Sequence, residues 1–419
     1  MAPRFTSPRG FNDILPGESE RWQAFEATAR ALLRRYGFRE IRPPMMESTE
    51  LFTRSVGEAT DIVGKEMFTL QSGEESFSLR PELTASVCRA FVEHSLDRAG
   101  LTRLYYIGAA FRKERPQKGR LRQFHQIGAE WFGELAPGAD VETIAVAWDL
   151  VKAARVGSPT LSINTLGDVP SRVRYREALV AFLREHESHL DAESRSRIER
   201  NPMRVLDSKD PATQRALQSA PAMLDFLGDD ERAHFESVCA GLTAIGIPYT
   251  IDAKLVRGLD YYVRTTFEIS ADTGGSQNAV VGGGRYDNLV AELGGPQIAG
   301  IGFAAGIERL FLAAGDDVAP AAPLLDLFVV TLGESAQARV LPFVHALRAA
   351  GVAALWDPAG RGLSGQMKRA NRSGARYAAI IGDDEIARGM VRLRDLINGV
   401  ERDAPLDPVR LAAQLESGE

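Results

Sequence analysis

Gln123-Phe124-His125-Gln126-Ile127-Gly128-Ala129-Glu130-Trp131-Phe132-Gly133 alternates with a period of two, which is the spacing of a β-strand. One face carries Phe124, Gln126, Gly128, Glu130 and Phe132, and the other His125, Ile127, Ala129 and Trp131. An amide and a carboxylate share a face, with a glycine between them. That arrangement suits a polar ligand lying over a sheet, and it equally suits an antiparallel sheet with a mixed, partly wet face. Upstream, residues 101–134 read as an antiparallel hairpin with a basic loop, 115–122, at its tip. Arg112 stands on the first strand in Phe111-Arg112-Lys113-Glu114, where a planar guanidinium on a rigid support is suited to forking a phosphate.

The second informative stretch is Gly300-Ile301-Gly302-Phe303-Ala304-Ala305-Gly306-Ile307-Glu308-Arg309-Leu310. Residues 301–305 fit a buried strand, and 306–310 fit the first turn of a helix leaving it. Arg309 then sits near the positive end of that helix, where a cation is unfavourable unless an anionic ligand or a carboxylate partner answers it. An ordinary Glu–Arg pair on a helix surface is the alternative, and it leaves the spaced glycines without a reason. The spacing is not a dinucleotide fingerprint, because the last gap is one residue too long.

Around these stretches, Trp22, Phe25, Ala29, Leu32, Leu33 and Tyr36 predict a helix over about 18–36, stopped by Gly37. A short strand over 38–42 ends at Pro43-Pro44, two strands follow within 66–80, and Pro81 is expected to open a helix. Residues 170–245 are charged, rich in helix formers and broken by Asn201-Pro202 and Asp210-Pro211, which reads as a helical insertion. Strands resume at Tyr249. A proline-containing linker over 316–323 precedes strand 327–332, helix 336–350, strand 352–356, helix 362–374 and strand 377–381. The expected organisation is a first domain over 1–322, interrupted by the insertion, and a small α/β domain over 324–419.

At 419 residues and 44% hydrophobic content, the chain is long enough to bury full cores in two or three domains. The net charge of -6 argues against non-specific coating of nucleic acid, yet local patches remain. Arg112, Lys113, Arg115, Lys118, Arg120 and Arg122 face the single acid Glu114, and Arg361, Lys368, Arg369, Arg372 and Arg376 have no acid within 361–376. Each patch is either an RNA contact or a solvated charged face. Cys88 and Cys239, with no partners spaced for a metal, support neither a disulfide framework nor a zinc site. No apolar run is long enough to cross a bilayer, so a soluble, unprocessed, cytoplasmic protein is expected.

Taken in order, Gly37-Phe38-Arg39-Glu40-Ile41-Arg42-Pro43-Pro44, the hairpin from Phe111 to Glu130 and the stretch from Gly300 to Leu310 resemble the three signature motifs of class II aminoacyl-tRNA synthetases. Further stretches resemble the bacterial histidyl family within that class, over essentially the whole chain: Arg9-Gly10-Phe11-Asn12-Asp13-Ile14-Leu15-Pro16, Leu79-Arg80-Pro81-Glu82-Leu83-Thr84, Glu114-Arg115-Pro116-Gln117-Lys118-Gly119-Arg120 and Gly282-Gly283-Gly284-Arg285-Tyr286-Asp287. The most specific is Leu255-Val256-Arg257-Gly258-Leu259-Asp260-Tyr261-Tyr262. A turn entering an aromatic strand would account for its glycine and tyrosines but gives Arg257 no task.

The resemblance implies an α+β fold, in which an antiparallel sheet flanked by helices carries a helical insertion and is followed by an anticodon-binding α/β domain. It implies activation of L-histidine with ATP and Mg²⁺ to histidyl-adenylate, then transfer to the 3′ end of tRNA(His), with release of AMP and diphosphate. Arg112 and Arg257 would act at the α-phosphate, with Glu114 and Arg309 also at ATP. Two charges at about 4 Å and an effective dielectric near 20 interact by roughly 4 kcal/mol, so aimed arginines carry much of such chemistry. Glu82, Thr84 and Gln126 would hold the α-amino group, Glu130 and Tyr262 the imidazole, and Tyr261, Tyr286 and Arg257 the rest of the histidine pocket. Arg115, Gln117, Lys118, Arg120 and Arg122 would meet the acceptor end of tRNA, and Lys368, Arg369 and Arg372 the anticodon. A homodimer, no side-chain metal site and no membrane association are implied as well. One departure stands out: the family pattern has glycine where this chain has Leu83. A non-catalytic relative that binds histidine for regulation would lack the second domain.

Overall fold

In the computed structural model, which describes residues 5–57, 60, 62–275, 278–315 and 325–417, the first helix runs Glu18–Arg35 and buries Trp22, Phe25, Ala29, Leu32 and Leu33 along one stripe. It stops where Gly37 takes φ +78°, a left-handed conformation that costs any residue with a Cβ. The chain divides into two compact units, Met1–Pro320 and Ala321–Glu419. The expected linker over 316–323 lies outside the described residues.

The strands of the first unit are β1 (Arg39–Glu40), β2 (Met46–Ser48), β3 (Phe68–Ser72), β4 (Glu75–Leu79), β5 (Arg103–Phe111), β6 (Gln123–Phe132), β7 (Thr160–Thr165), β8 (Thr250–Ile251), β9 (Val263–Ser270), β10 (Ala279–Arg285) and β11 (Gly300–Gly306). Eight of them form one sheet in the order β1-β5-β6-β11-β10-β9-β7-β8, and β2-β4-β3 form a second, antiparallel sheet. Within the large sheet only the outer pairs β1·β5 and β7·β8 are parallel. The alternation read in β6 holds across its neighbours. Ile127, Ala305, Val281 and Ile269 form one row, and Ala129, Phe303, Gly283 and Phe267 the next. Both rows face a core built with Trp22, Phe25, Leu33, Ile144 and Trp148 from helices Glu18–Arg35 and Pro137–Ala153. On the opposite face, Glu130, Gly302, Gly284 and Thr266 form one row, and Gly128, Ala304, Gly282 and Glu268 another. That face is the polar one.

The insertion consists of helices Val169–Glu185, Ala192–Arg197, Pro211–Ala216 and Asp229–Ala244 with short helical turns between them. Asp210-Pro211 is a start signal as much as a break, because Asp210 accepts hydrogen bonds from the backbone of Ala212 and Thr213 while proline occupies the first turn. The insertion belongs to the cores on both faces of the sheet. Phe235, Val238 and Leu242 join the cluster beneath it, and Tyr175, Leu179 and Leu183 join another with Tyr106, Tyr261, Tyr262 and Tyr286.

A buried ion pair ties three of these parts together. Arg285, at the end of β10, is fully buried and donates from Nε and Nη2 to Asp140, also fully buried in the first turn of helix Pro137–Ala153, at 2.6–3.0 Å. Its remaining donors reach the carbonyls of Glu134 and Ala136 at 2.8 and 3.1 Å, so no N–H is stranded. The ring of His234, from insertion helix Asp229–Ala244, lies 3.3 Å from the same carboxylate.

The second unit holds β12 (Leu327–Thr331), β13 (Ala354–Trp356), β14 (Tyr377–Ile381), β15 (Met390–Asp395) and β16 (Glu401–Pro405) in the order β13-β12-β14-β15-β16, with β12 parallel to both its neighbours. Helices Glu334–Ala349, Leu363–Ser373, Asp383–Arg388 and Pro408–Ser417 accompany them.

Two local readings change. The strand expected over 38–42 is only Arg39–Glu40: the Phe38 N–H donates to the Leu33 carbonyl at the helix end, and Ile41 makes one last bond to Tyr105 before the prolines. The helix expected from Pro81 begins at Thr84, because the Glu82 carboxylate accepts the backbone N–H groups of Thr84 and Ala85 at 2.6 and 2.9 Å and so caps the helix itself.

Asp140→Ala would remove the carboxylate that takes Nε and Nη2 of the buried Arg285 and leave it only the longer contact to Asp287 at 3.4 Å. It should lower unfolding free energy by about 3–5 kcal/mol, as read by urea denaturation of the full chain. A loss below about 1 kcal/mol, the scale of a surface pair, would show that the clamp is not a structural anchor.

Candidate active site

Side chains fold down onto the polar face because glycines leave room for them. A Cβ at Gly302 would strike the Glu130 carboxylate, one at Gly300 the Tyr286 ring, and one at Gly282 the Arg257 guanidinium. Glu130 is completely buried and accepts from Thr84 Oγ1 at 2.7 Å and from the Tyr286 hydroxyl. Burial raises its pKa to about 8, against the opposing effect of those two hydroxyls. Glu82 is buried beside it, and burial raises its pKa as well. The two carboxylates act on each other unfavourably, so this end of the site is short of positive charge. The Oε1 of Gln126, in the same strand, is buried with no partner among the described residues. The Tyr261 ring sits between Tyr262 and Tyr286, tilted to the first and edge-on to the second, with centroids 4.6 and 5.7 Å away.

The opposite shortage exists at the other end. Arg112 donates from Nε to the Pro81 carbonyl at 2.9 Å and lies over the Phe124 ring, 5.3 Å from its centroid. Burial pushes its pKa down and the charge of Arg257 pushes it further, with Glu66 and Glu82 opposing. Arg309 donates to the carbonyls of Gly119 and Ala279 at 2.9 and 3.0 Å. Burial lowers its pKa too, followed by Arg112 and Arg120. These half-buried guanidinium groups are desolvated, and Arg112 and Arg120 add repulsion at Arg309, while Glu66, Glu82 and Glu114 offset part of the charge of Arg112. Glu308 does not pair with Arg309. It accepts from the backbone and the ring of His125 at 2.9–3.0 Å, which removes the surface-pair reading of Arg309.

Arg257 donates from Nη1 to Glu268 at 2.9 Å, and its buried Nε has no partner among the described residues. Glu268 and Tyr106 were not singled out from sequence. Period two in β9 places Glu268 on the face of Thr266, and in β5 places Tyr106 on the face of Gly108 opposite Gly128, so a signal existed in both strands. Leu83 lies in the apolar cluster with Val87, Phe91 and Leu104, 1% exposed.

The basic residues divide. Arg115, Gln117 and Lys118 are exposed on a tight loop that Gln117 and Arg120 close by exchanging backbone hydrogen bonds at 2.9 and 3.0 Å. Arg120 instead pairs with Glu114 and, at 3.5 Å, with Glu66, while Arg122 donates to the Glu114 carbonyl at 3.2 Å. The patch is therefore less positive than its composition: Glu66, distant in sequence, offsets it. In the second unit, Lys368, Arg369 and Arg372 are exposed on helix Leu363–Ser373. Arg361 and Arg369 both donate to buried Asp357 at 2.7 Å, an acid just outside the stretch that contained none.

The family described as Histidyl-tRNA synthetase matches residues 10–310, and the family described as Anticodon binding domain matches residues 326–410. The chain is 50% identical over 394 residues to "Histidine--tRNA ligase" of Synechococcus sp. strain RCC307, covering 94% of this chain and 95% of that protein. It is 47% identical to the same-named protein of Geobacter sulfurreducens, covering 98% and 99%. The apo histidyl-tRNA synthetase structure from S. aureus superposes with a TM-score of 0.80 at 36% identity, covering 99% of both chains. A Bacillus halodurans structure titled "ATP phosphoribosyltransferase regulatory subunit/histidyl-tRNA synthetase" shares the fold, with a TM-score of 0.66 at 21% identity over 91% of this chain and 99% of that one.

The raised pKa of Glu130 has a consequence for the ligand-free protein. Between its ordinary value of 4.5 and about 8, the folded state holds a proton that the unfolded state has released, so stability falls as pH rises through that window. Glu130→Gln should flatten this part of the profile and raise the melting temperature at pH 8. Parallel wild-type and variant profiles from thermal denaturation would contradict the assignment.

Proposed function

The chain belongs to the histidyl-tRNA synthetase family, and from that premise we propose how its residues divide the work. It is a histidine–tRNA ligase: it activates L-histidine with ATP and transfers the histidyl group to tRNA(His). The observation that supports the division is the opposed polarity of the site. Two buried carboxylates with raised pKa values lie toward one end, and half-buried arginines whose pKa values desolvation lowers lie toward the other. Histidine carries an ammonium and an imidazole at one side and a carboxylate at the other, so it relieves the first shortage, and the phosphates of ATP relieve the second.

In this reading Glu82, Thr84 and the unpartnered Oε1 of Gln126 receive the α-ammonium. Glu130 and Tyr262 take the two imidazole nitrogens, while Tyr261 and Tyr286 wall the pocket. An analogue lacking the imidazole nitrogens leaves Glu130 and Tyr262 unanswered, which is how such pockets reject by roughly 10⁴-fold. Arg112 and Arg257 meet the α-phosphate that the histidine carboxylate attacks, bearing the charge that grows there as the bond to diphosphate breaks. Arg309 and Glu114 belong to the ATP end. The carboxylate is already ionised, so positioning and charge complementation carry the step.

No group of three or more His, Cys, Asp or Glu able to hold a metal occurs among the described residues. Mg²⁺ would enter with ATP and supply charge compensation at its phosphates, for which one or two carboxylates of the chain suffice. Arg115, Gln117 and Lys118 meet the acceptor end of tRNA, joined by Arg120 and Arg122 once their internal partners exchange, and Lys368, Arg369 and Arg372 face the anticodon. The division at 1–322 and 324–419 separates catalysis from anticodon binding. A homodimer in the cytoplasm completes the reading. Among the described residues no helix is long and apolar enough to cross a membrane.

Histidine-dependent exchange of labelled pyrophosphate into ATP tests this division. Arg257→Ala should lower the exchange rate by roughly 10²–10³-fold, the cost of removing one aimed donor. Histidine affinity from equilibrium dialysis should barely change. Equal losses in rate and affinity would mean that Arg257 serves binding and not the developing charge.

A further inference from the structure

The segment that carries both Arg257 and Tyr262 has no strand partner of its own. Regular pairing ends with Ile251 in β8 and resumes at Val263 in β9. A loop placed at a reaction centre must still satisfy its carbonyls and hold its position. Asn164 of β7 donates to the carbonyls of Ala253 and Leu255 at 3.3 and 3.0 Å, and for the part that carries Arg257 and Tyr262 side-chain donors come from the insertion. Arg204, in the helical turn Pro202–Asp207, donates from Nη2 to the Gly258 carbonyl at 2.9 Å, with Asp207 3.3 Å from its Nη1. Arg172, in the first turn of helix Val169–Glu185, donates from Nη2 to the Tyr262 carbonyl. The charges of both arginines act on Asp260, between those two carbonyls. From the other side, the Val56 carbonyl accepts the Asp260 backbone N–H at 3.2 Å.

We propose that Arg204 and Arg172 are positioning residues through which the helical insertion sets the placement of the phosphate-binding arginine and the imidazole-reading tyrosine. The inference rests on the roles assigned above to Arg257 and Tyr262. It adds an asymmetry that those roles do not contain. Arg204 grips the carbonyl next to Arg257, so it governs the arginine that acts as charge develops. Arg172 grips the carbonyl of Tyr262 itself, so it governs recognition of histidine. Neither residue touches a substrate. A displacement of about 1 Å at a reacting centre costs up to 10²-fold, so two hydrogen bonds to backbone suffice for a large effect.

The test is steady-state pyrophosphate exchange by the full-length chain, with thermal denaturation of each variant. Arg204→Met should lower kcat by about ten- to a hundredfold with little change in the histidine KM. Arg172→Met should raise the histidine KM by about tenfold and lower kcat less. Arg204→Lys keeps a donor and a charge and should recover part of the loss at an unchanged melting temperature. The proposal is overturned if both Met variants keep kcat and KM within about twofold of wild type. It is also overturned if the two variants lose the same parameters in the same proportion, or if Lys is no better than Met at position 204. Arg257→Ala, run beside them, separates the two levels. Retained exchange in that variant sinks the site reading itself, whereas its loss together with unaffected Arg204 and Arg172 variants sinks only the coupling.

Discussion

The pairing of Asp140 with Arg285 is the fixed point from which the site is built. Both side chains are fully buried, and every guanidinium donor of Arg285 is used. A buried pair of this kind adds little net stability over an apolar replacement, because desolvation consumes most of the attraction. What it adds is placement. Arg285 is followed directly by Tyr286, whose hydroxyl donates to Glu130, and His234 of the insertion closes on the same aspartate. The first turn of a helix, the end of a strand and an insertion helix therefore share one ionic anchor, and the pocket wall begins at the next residue.

From that anchor the site follows as a problem of unmet charge. Burial raises the pKa values of Glu82 and Glu130 and lowers those of Arg112 and Arg309, so at both ends desolvation disfavours the charged form. Each end is costly alone, and each cost falls when a ligand of opposite sign arrives. The substrates of an amino-acid activating enzyme match this pattern in order: a cationic group, a carboxylate, then a string of phosphates. Glycines in the sheet face make the arrangement possible, because the bulky polar groups lie flat in the space that side chains on Gly282, Gly300 and Gly302 would fill.

Much of this was legible in local pattern. The two faces of Gln123–Phe132 came out as its alternation demanded, and Gly300–Gly306 leads directly into helix Ile307–Ala314. What was not legible is what distance in sequence hides. Asp140 and Arg285 are 145 residues apart, and nothing around either announces the other. Glu308, the alternative partner for its neighbour Arg309, accepts from His125, because helix geometry turns adjacent side chains away from each other. Asp357 tempers a cluster that reads as purely basic from 361 onward. Met390–Asp395 and Glu401–Pro405 went unread because their alternating burial is paid out in exposed arginines and acids on one face, a weak strand signal.

Chain connectivity explains why an insertion should hold the most specific segment of the sequence. Strands β7 and β8 are parallel neighbours at the edge of the large sheet, and parallel neighbours require a crossover connection. The insertion is that crossover, much enlarged. After β8 the chain must return to β9, which lies on the far side of β7, so it passes over the end of β7 before it can pair. Residues 252–262 make that passage. They leave β8 and pass against the insertion, where Arg172 and Arg204 reach the carbonyls of Tyr262 and Gly258. Arg257 and Tyr262 owe their place over the polar face to this route, since the sheet supplies the floor but no ladder for the segment that carries them.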